Sequence, residues 1–587
     1  GWVARELIRQ GGAVNLAETD ELIGAESYIL QNVANVDTAY RFLRTIERFK
    51  ERAAWHGHTA EGNPSGGNRL RGLYNIILKS IGAAQKKHPE IRLDRVIEYG
   101  EPMREAGFYF MDSPGNDLES VAGQVASGST LIIFTTGNGS ITNFPFVPTV
   151  KVVTTTTRYE LLPQEMDFNA GFYLDGIPLE ELGARLFEKC RAAASGEKTA
   201  GEGAGHYQVS IWRDWRQSGD CDLTQLLSRP APKGAAVPLK LVVGNASPDV
   251  GEGIERWKEQ VANSCPSVGL VLPTSLCSGQ IAAMAARRLN ELSRPIEGFQ
   301  RFISLTHTEG CGVSRGANME LYTRTLLGYL RHPLVRRGLL LEHGCETTHN
   351  QYFRRELEKR NLDPGHFGWA SVQLDGGIEP VLKRIEEWFC RVGTSPSSDS
   401  LPTTDAGVIR VGIVVSDQAS PQGKSLVADL ALLLLDSGGQ VIIPEHSPLL
   451  QKAFLGQYLQ ADQPGPTIAY GEAAQGRGLH LMESPTHHRV ETLSGLGACG
   501  ARVLLALEGP YPGQGHPLVP TVRVAWYDQI RPEMSDDLDL LLDNGESMIV
   551  QMVELLRQSD AGVYQTKSER QSDVDFQCTR GLLGVSM

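Results

Sequence analysis

Phe302-Ile303-Ser304-Leu305-Thr306-His307-Thr308-Glu309-Gly310-Cys311-Gly312 and Leu339-Leu340-Leu341-Glu342-His343-Gly344-Cys345-Glu346-Thr347-Thr348-His349-Asn350 carry the pattern on which the fold of this chain turns. In each, a short apolar run breaks into a glycine turn that bears His, Cys and Glu. A helix-like stretch separates the two, so both runs read as buried parallel strands of an α/β unit. Ligand sites in open α/β sheets collect at the carboxyl ends of the strands. The two turns are therefore the expected chemical centre.

Working outward, strand-like and helix-like stretches alternate through most of the chain. Phe108 to Met111 reads as a strand with the exit loop Asp112-Ser113-Pro114-Gly115-Asn116-Asp117. Thr130 to Phe134 reads as another, leaving through Thr135-Thr136-Gly137-Asn138-Gly139-Ser140. Tyr207 to Trp215 and Leu239 to Val243 are further strand candidates. Pro/Ala/Gly-rich residues 229–238 and Ser/Pro/Thr-rich residues 395–404 read as linkers. The expected fold class is α/β, with several Rossmann-like open parallel-sheet domains.

The last third repeats the first. Tyr99-Gly100-Glu101 recurs as Tyr470-Gly471-Glu472, and Val147-Pro148-Thr149-Val150-Lys151 as Val519-Pro520-Thr521-Val522-Arg523. Upstream, Gly11-Gly12 and Glu18 match Gly438-Gly439 and Glu445 at a longer spacing. The second copy thus lacks a stretch that, in the first, spans Asn63-Pro64-Ser65-Gly66-Gly67-Asn68. The expected organisation is 1–225, 238–392 and a shortened second copy at 408–557, with a tail at 558–587. The first copy has no counterpart to the strand at Val408 to Val415, so its beginning is expected to be missing.

Composition narrows the class. A net charge of −13 without a basic stripe argues against a nucleic-acid partner. Nine cysteines, an odd number, do not form a disulfide framework, and a cytoplasmic setting is expected. The most apolar helix-like run, Leu426 to Leu435, contains Asp429 and falls far short of the about 20 residues a membrane span needs.

A carboxylate, an imidazole and a thiolate close together suit a divalent metal, or proton transfer once burial shifts their pKa values. The candidates are His307, Glu309, Cys311, His343, Cys345 and Glu346. The plainer alternative is that Cys311 and Cys345 are small buried residues at strand ends and that His332 and His349 merely pack. The Asn63 loop offers amides and backbone N–H groups to a polar ligand, or is a surface turn. Lys86 is a base, a carboxylate anchor or a solvated helix end; Lys151 binds an anion or is solvated. No nucleotide fingerprint is present.

Taken together these pieces resemble the galactarate/altronate dehydratase family, bacterial enzymes that dehydrate sugar acids. The resemblance rests on Leu272-Pro273-Thr274 with Cys277, His307 to Cys311, Thr323-Arg324-Thr325, His332-Pro333 and Gly344-Cys345-Glu346. It extends to Asn63-Pro64-Ser65 with Gly67-Asn68, Lys79-Ser80 with Lys86, Ser113-Pro114-Gly115-Asn116-Asp117, Thr135-Thr136-Gly137, Val147 to Lys151 and Asp167 to Gly171. Residues 1–225 look like the family's C-terminal domain, 238–392 like its middle domain, and 408–557 like a shortened second C-terminal domain. The family's small N-terminal domain is not found, and Arg69 and Arg71 stand where it often has Lys and Gly-Gly.

The resemblance implies a hydro-lyase that turns a polyhydroxy carboxylate such as altronate or galactarate into a 2-keto-3-deoxy acid. It implies a divalent metal, Fe2+ first and Mn2+ or Mg2+ as alternatives, with His307, Cys311, Cys345 and Glu346 as ligand candidates. His307, Glu309, His343, Glu346 and Lys86 are then the expected catalytic groups. Asn63, Ser65, Asn68, Asn116, Asp117, Thr149 and Lys151 are the expected substrate contacts. A homo-oligomer is compatible with this, and neither a membrane nor a nucleic acid is expected as partner. Two competitors stand beside it: a related lyase that expels sulfite from a sulfo-hydroxyacid, and a non-catalytic carboxylate-binding or scaffolding paralogue.

Overall fold

The structure, a computed structural model, describes residues 1–55, 59, 75–212, 231–240, 247–310, 317–394, 407–461, 464–545 and 547–579. The first unit contains β1 (Ala13–Leu16), β2 (Arg95–Ile97), β3 (Gly107–Met111), β4 (Ile132–Thr136), β5 (Thr149–Val153) and β6 (Phe168–Asn169). The middle unit contains β7 (Val268–Pro273), β8 (Arg301–Ser304), β9 (Val335–Glu342) and β10 (Gly368–Ser371). The third contains β11 (Arg410–Val415), β12 (Gln440–Pro444), β13 (Gly478–Met482), β14 (Val503–Leu507), β15 (Thr521–Trp526) and β16 (Leu540–Leu542).

The fold is α/β, with strands paired in parallel. The middle sheet has the order β10-β9-β7-β8, and the third β13-β12-β11-β14-β15-β16. Sheets of this kind are covered on both faces, which is why their strands read as unbroken apolar runs. Leu339, Leu340 and Leu341 are all buried, yet they face opposite ways. Leu339, Leu341 and Val271 join a core shared with Ile141, Val153, Leu162 and Met166 of the first unit. Leu340, Leu270 and Leu272 join a core shared with the third unit. Successive strand residues alternate in direction, so the middle sheet is glued to one neighbour on each face.

The first and third units run through the same succession. β12 pairs with β13 as β1 pairs with β3, and β14-β15-β16 follow as β4-β5-β6 do. β11 sits at the centre of the third sheet and joins its two halves. Among the described residues the first unit has no strand in that place, and its strands form two separate three-stranded sheets.

The correspondence continues past residue 557. Thr199 and Thr566 each open a short helix with a capping box, to Glu202 and Glu569. Asp167 accepts from Lys151 N and Ala200 N, and Asp539 from Arg523 N and Lys567 N in the same way. Residue 557 itself falls inside the helix Met548–Asp560. The segment expected to be a separate tail is therefore built into the third unit as far as residue 579, where the description ends.

Other boundaries differ from expectation. Residues 207–212 form no strand, and 213–215 lie outside the described residues. Of the strand expected at 239–243, Leu239 makes an isolated antiparallel bridge to Leu459, and 241–243 lie outside. The helix Pro248–Asn263 leaves the middle unit to pack on the third. There Trp257 Nε1 donates to Asp560 Oδ2 at 2.8 Å, and Arg502 Nε donates to Asp560 Oδ1 at 2.8 Å. No helix among the described residues is long and apolar enough to cross a membrane.

The contact between the helices Ala317–Leu330 and Arg489–Ala498 is close enough to require glycine. A Cβ at Gly328 would stand 2.4 Å from the Ala498 carbonyl oxygen and 3.0 Å from that of Gly471. In a free helix Gly→Ala stabilises by about 1 kcal/mol. Here Gly328→Ala is expected to destabilise by about 1–3 kcal/mol, because two backbones must separate. A urea titration decides it: a midpoint equal to or above that of the parent would show that the helices are not held so tightly.

Candidate active site

β9 ends at Glu342, and the next residues fold back under control of one carboxylate. Glu346 is 1% exposed. Its Oε1 accepts from His343 N at 2.7 Å, Thr274 Oγ1 at 2.8 Å and Ser275 Oγ at 3.2 Å, and its Oε2 accepts from Gly344 N at 2.6 Å. The turn needs glycine at 344, where φ is +124° and a Cβ would meet Gln373 Oε1 at 2.8 Å. Glu346 thereby ties the end of β9 to the end of β7.

The turn aims His343 at the first unit. Its Nε2 accepts from the main-chain N–H of Ile141 at 3.4 Å, and its Nδ1 lies 3.2 Å from Cys345 Sγ and 3.4 Å from Gln373 Nε2. Burial pushes the His343 ring down, opposed by Glu346 and by Asp117 of the first unit. A ring nitrogen of His343, Cys345 Sγ and a Glu346 oxygen all lie within 4.8 Å of one another.

His307 does not belong to this group. Its Nε2 donates to the Pro273 carbonyl at 2.9 Å, and its Nδ1 accepts from Glu309 N at 3.2 Å. Both nitrogens of a neutral ring are thus spent on main chain, and burial lowers its pKa. A ring so engaged acts as a brace between β7 and β8. Glu309 is also turned inward: its Oε1 accepts from Thr308 Oγ1 at 3.1 Å and Gln577 Nε2 at 3.4 Å. Cys311 lies outside the described residues.

From the first unit, Asp117 comes closest in chemistry to the His343 turn. Its Oδ2 accepts from Ser140 Oγ at 2.7 Å and Thr142 Oγ1 at 3.4 Å, and burial pushes its carboxyl up. Asn116 caps the helix Asp117–Ala126 through Leu118 N and Glu119 N. That role occupies its side-chain oxygen. Thr149 and Lys151 sit on β5, fully buried. Asn63, Ser65 and Asn68 lie outside the described residues.

A cluster that the sequence did not announce stands beside Asp117. Lys86 Nζ lies 2.9 Å from Glu18 Oε2 and 3.7 Å from Glu21 Oε2, and Lys79 Nζ lies 2.8 Å from Glu21 Oε1. All four side chains are half-buried and reachable. Burial and the neighbouring Glu21 push the Glu18 carboxyl well up. Burial also acts on Glu21, but Lys79 and Lys86 hold it at about 2. The two carboxyls titrate as a pair, with Glu18 on the raised side. Burial works against the Lys86 charge, yet Glu18 and Glu21 outweigh it and raise its pKa.

Glu18 also has φ +74° and ψ +74°, a left-handed backbone that a side chain of this size rarely adopts. Its counterpart Glu445 is absent from the positive-φ residues, and its Oε1 accepts from Ser484 N. The turn can therefore be built without strain. The recurrence of Glu18 as Glu445 was the one signal in the sequence that could have flagged it.

Two family models match the chain. One, described as D-galactarate/Altronate dehydratase, C-terminal, covers residues 1–217; the other, D-galactarate dehydratase/Altronate hydrolase, second domain, covers 268–391. An altronate dehydratase of Bacillus subtilis (strain 168) is 38% identical over 181 residues, which is 31% of this chain and 36% of the relative. An altronate dehydratase of Escherichia coli (strain K12) is 28% identical over 207 residues, 35% of this chain and 41% of the relative. The (2R)-sulfolactate sulfo-lyase subunit beta of Chromohalobacter salexigens is 30% identical over 211 residues, 35% of this chain and 54% of the relative. The matched stretches thus span roughly a third to a half of these relatives.

Glu342 gives the site a pH signature. Burial and the nearby Glu346 push its carboxyl up to about 7 from the ordinary 4.5. Between those values the folded protein holds a proton that the unfolded chain releases, so stability must fall as pH rises through this window. Glu342→Gln is expected to flatten that decline in a series of melts from pH 4 to 8. An unchanged slope would mean that Glu342 titrates normally.

Proposed function

We propose, from the premise that this chain belongs to the D-galactarate/altronate dehydratase family, that it binds a polyhydroxy carboxylate and eliminates water from it, leaving a 2-keto-3-deoxy acid. The observation that carries this reading is the junction of two units. Asp117 and the Ile141 amide stand against the His343 ring, and the Lys79, Lys86, Glu18 and Glu21 group lies next to Asp117.

A proton next to a carboxylate is very weakly acidic, so the reaction needs charge stabilisation, a base and an acid. Lys86 and Lys79 are the cations available to draw the substrate's carboxylate into the half-buried cluster. Asp117, held by Ser140 and Thr142, takes the proton from the carbon beside that carboxylate. Glu18, the carboxyl that burial and Glu21 push up, delivers a proton to the departing β-hydroxyl. The strained backbone at Glu18 fits such a role, since strain persists where the surroundings over-determine it. In the third unit the counterpart Glu445 accepts from the Ser484 main-chain N–H.

The donor set His343, Cys345 and Glu346 fits a divalent cation, and a thiolate beside an imidazole favours iron over magnesium. Such an ion would supply Lewis-acid stabilisation of the enediolate charge. A second reading follows from the sulfo-lyase relative: the same proton abstraction would then expel sulfite.

The test is an assay of keto-acid and of sulfite release over a panel of aldonates, aldarates and sulfolactate, with the protein stripped of metal and then given Fe2+, Mn2+ or Mg2+. Keto-acid from a sugar acid, dependent on added metal, is the expected outcome; sulfite release alone would support the second reading. Glu18→Gln is expected to lower kcat by about 10²–10⁴-fold while the melting temperature holds. Equal losses of activity and stability would reduce Glu18 to a structural residue.

A further inference from the structure

Lys151 is 1% exposed, and its Nζ has no hydrogen-bond partner. The nearest carboxylate oxygen, Asp167 Oδ2, is 3.9 Å away and already accepts from the Lys151 main-chain N–H. An ammonium so placed has lost its water without gaining an acceptor, which costs free energy unless something else occupies the site.

The third unit shows what the same position holds when it is complete. Arg523 occupies the place of Lys151 and is fully buried. Its Nη1 donates to Asp573 Oδ2 at 2.7 Å and to the Gly513 carbonyl at 3.1 Å, and its Nη2 to Gln571 Oε1 at 2.9 Å. The two frames share main-chain bonds. His206 N donates to the Gly201 carbonyl as Asp573 N does to that of Ser568. Gln208 N donates to the Asn143 carbonyl as Asp575 N does to that of Gly515. By this register His206 stands where Asp573 does, and Ala204 where Gln571 does.

Both built-in acceptors are therefore missing from the first unit. Ala204 has no polar group. His206 has no negative charge to offer: burial and the nearby Lys151 push its pKa down to about 3, which keeps the ring neutral, and neither ring nitrogen has a hydrogen-bond partner. Asn143 Oδ1 is a further buried polar atom without a partner, and it faces the same spot: a Cβ on Gly201 would stand 2.8 Å from it and 2.8 Å from Lys151 Nζ.

We propose that Lys151, with His206 beside it, binds the carboxylate of a small exogenous acid, which supplies the counter-charge that Asp573 supplies in the third unit. The third unit carries its own ligand; the first is left to bind one. This site adjoins the one described above through Ile141, which contacts His343 and lies beside His206. The inference stands on the comparison of the two units and does not depend on the dehydratase reading.

Acetate and succinate are the probes, with sodium chloride at matched ionic strength as control, read by melting temperature and by titration calorimetry on the full chain. In the parent, either acid is expected to give a saturable rise of roughly 2–4 °C that chloride does not. His206→Asp restores the counter-ion; it is expected to melt higher than the parent and to bind acetate at least about 10-fold more weakly. Lys151→Met, which removes the buried amine, is expected to fold and to lose the response. No saturable response in the parent, or a response that survives in Lys151→Met, would overturn the proposal. Because the readout is binding, a keto-acid assay negative over its whole panel would sink only the preceding reading.

Discussion

A buried carboxylate holds the centre of this molecule together. Glu346 accepts from two main-chain N–H groups at the end of β9 and two hydroxyls at the end of β7. Hydrogen bonds to a charged group contribute about 1.5–3 kcal/mol each, and donors left unpaired would cost a similar amount. Nothing else in the turn could satisfy those four donors at once. The consequence is geometric: with Glu346 in place Gly344 must take its left-handed φ, and the His343 ring must face the Ile141 amide of another unit. Elsewhere along the same junction, Glu165 Oε1 accepts from Ile378 N at the start of a middle-unit helix. The first and middle units thus meet through polar contacts as well as through a shared core.

The two flanking units are used differently. On one face of the middle sheet the first unit brings half-buried lysines and carboxyls up to the His343 turn. On the other the third unit closes the structure, with Gln577 donating to Glu309 and Thr308 and Phe576 packed near His307. One repeat has kept polar groups that outnumber their partners. The other supplies acceptors to both guanidinium Nη atoms of Arg523.

Much of the frame could be read from the sequence, because parallel strands buried on both faces leave apolar runs and their exits leave glycine turns. The position of the His343-Gly344-Cys345-Glu346 turn was legible for that reason. What could not be read was which nitrogen of which ring is already engaged, so His307 looked as reactive as His343. Nor could the pairing of Glu18 and Glu21 with Lys79 and Lys86, since those residues are far apart along the chain and meet only through tertiary packing. Other features were legible but easily passed over. An asparagine just before Asp117-Leu118-Glu119 is an ordinary helix cap, and Thr566-Lys567-Ser568-Glu569 repeats the capping pattern of Thr199 to Glu202.

The left-handed backbone at Glu18 sets two demands on one residue against each other. Glycine is the residue that such a φ prefers, so any effort to make this protein hardier, by design or by laboratory selection for heat resistance, would be drawn to replace Glu18 with it. The gain would come with the loss of the carboxyl that faces Lys86. Thermal hardening pursued without a functional screen would thus tend to yield a sturdier protein with a chemically silent crevice.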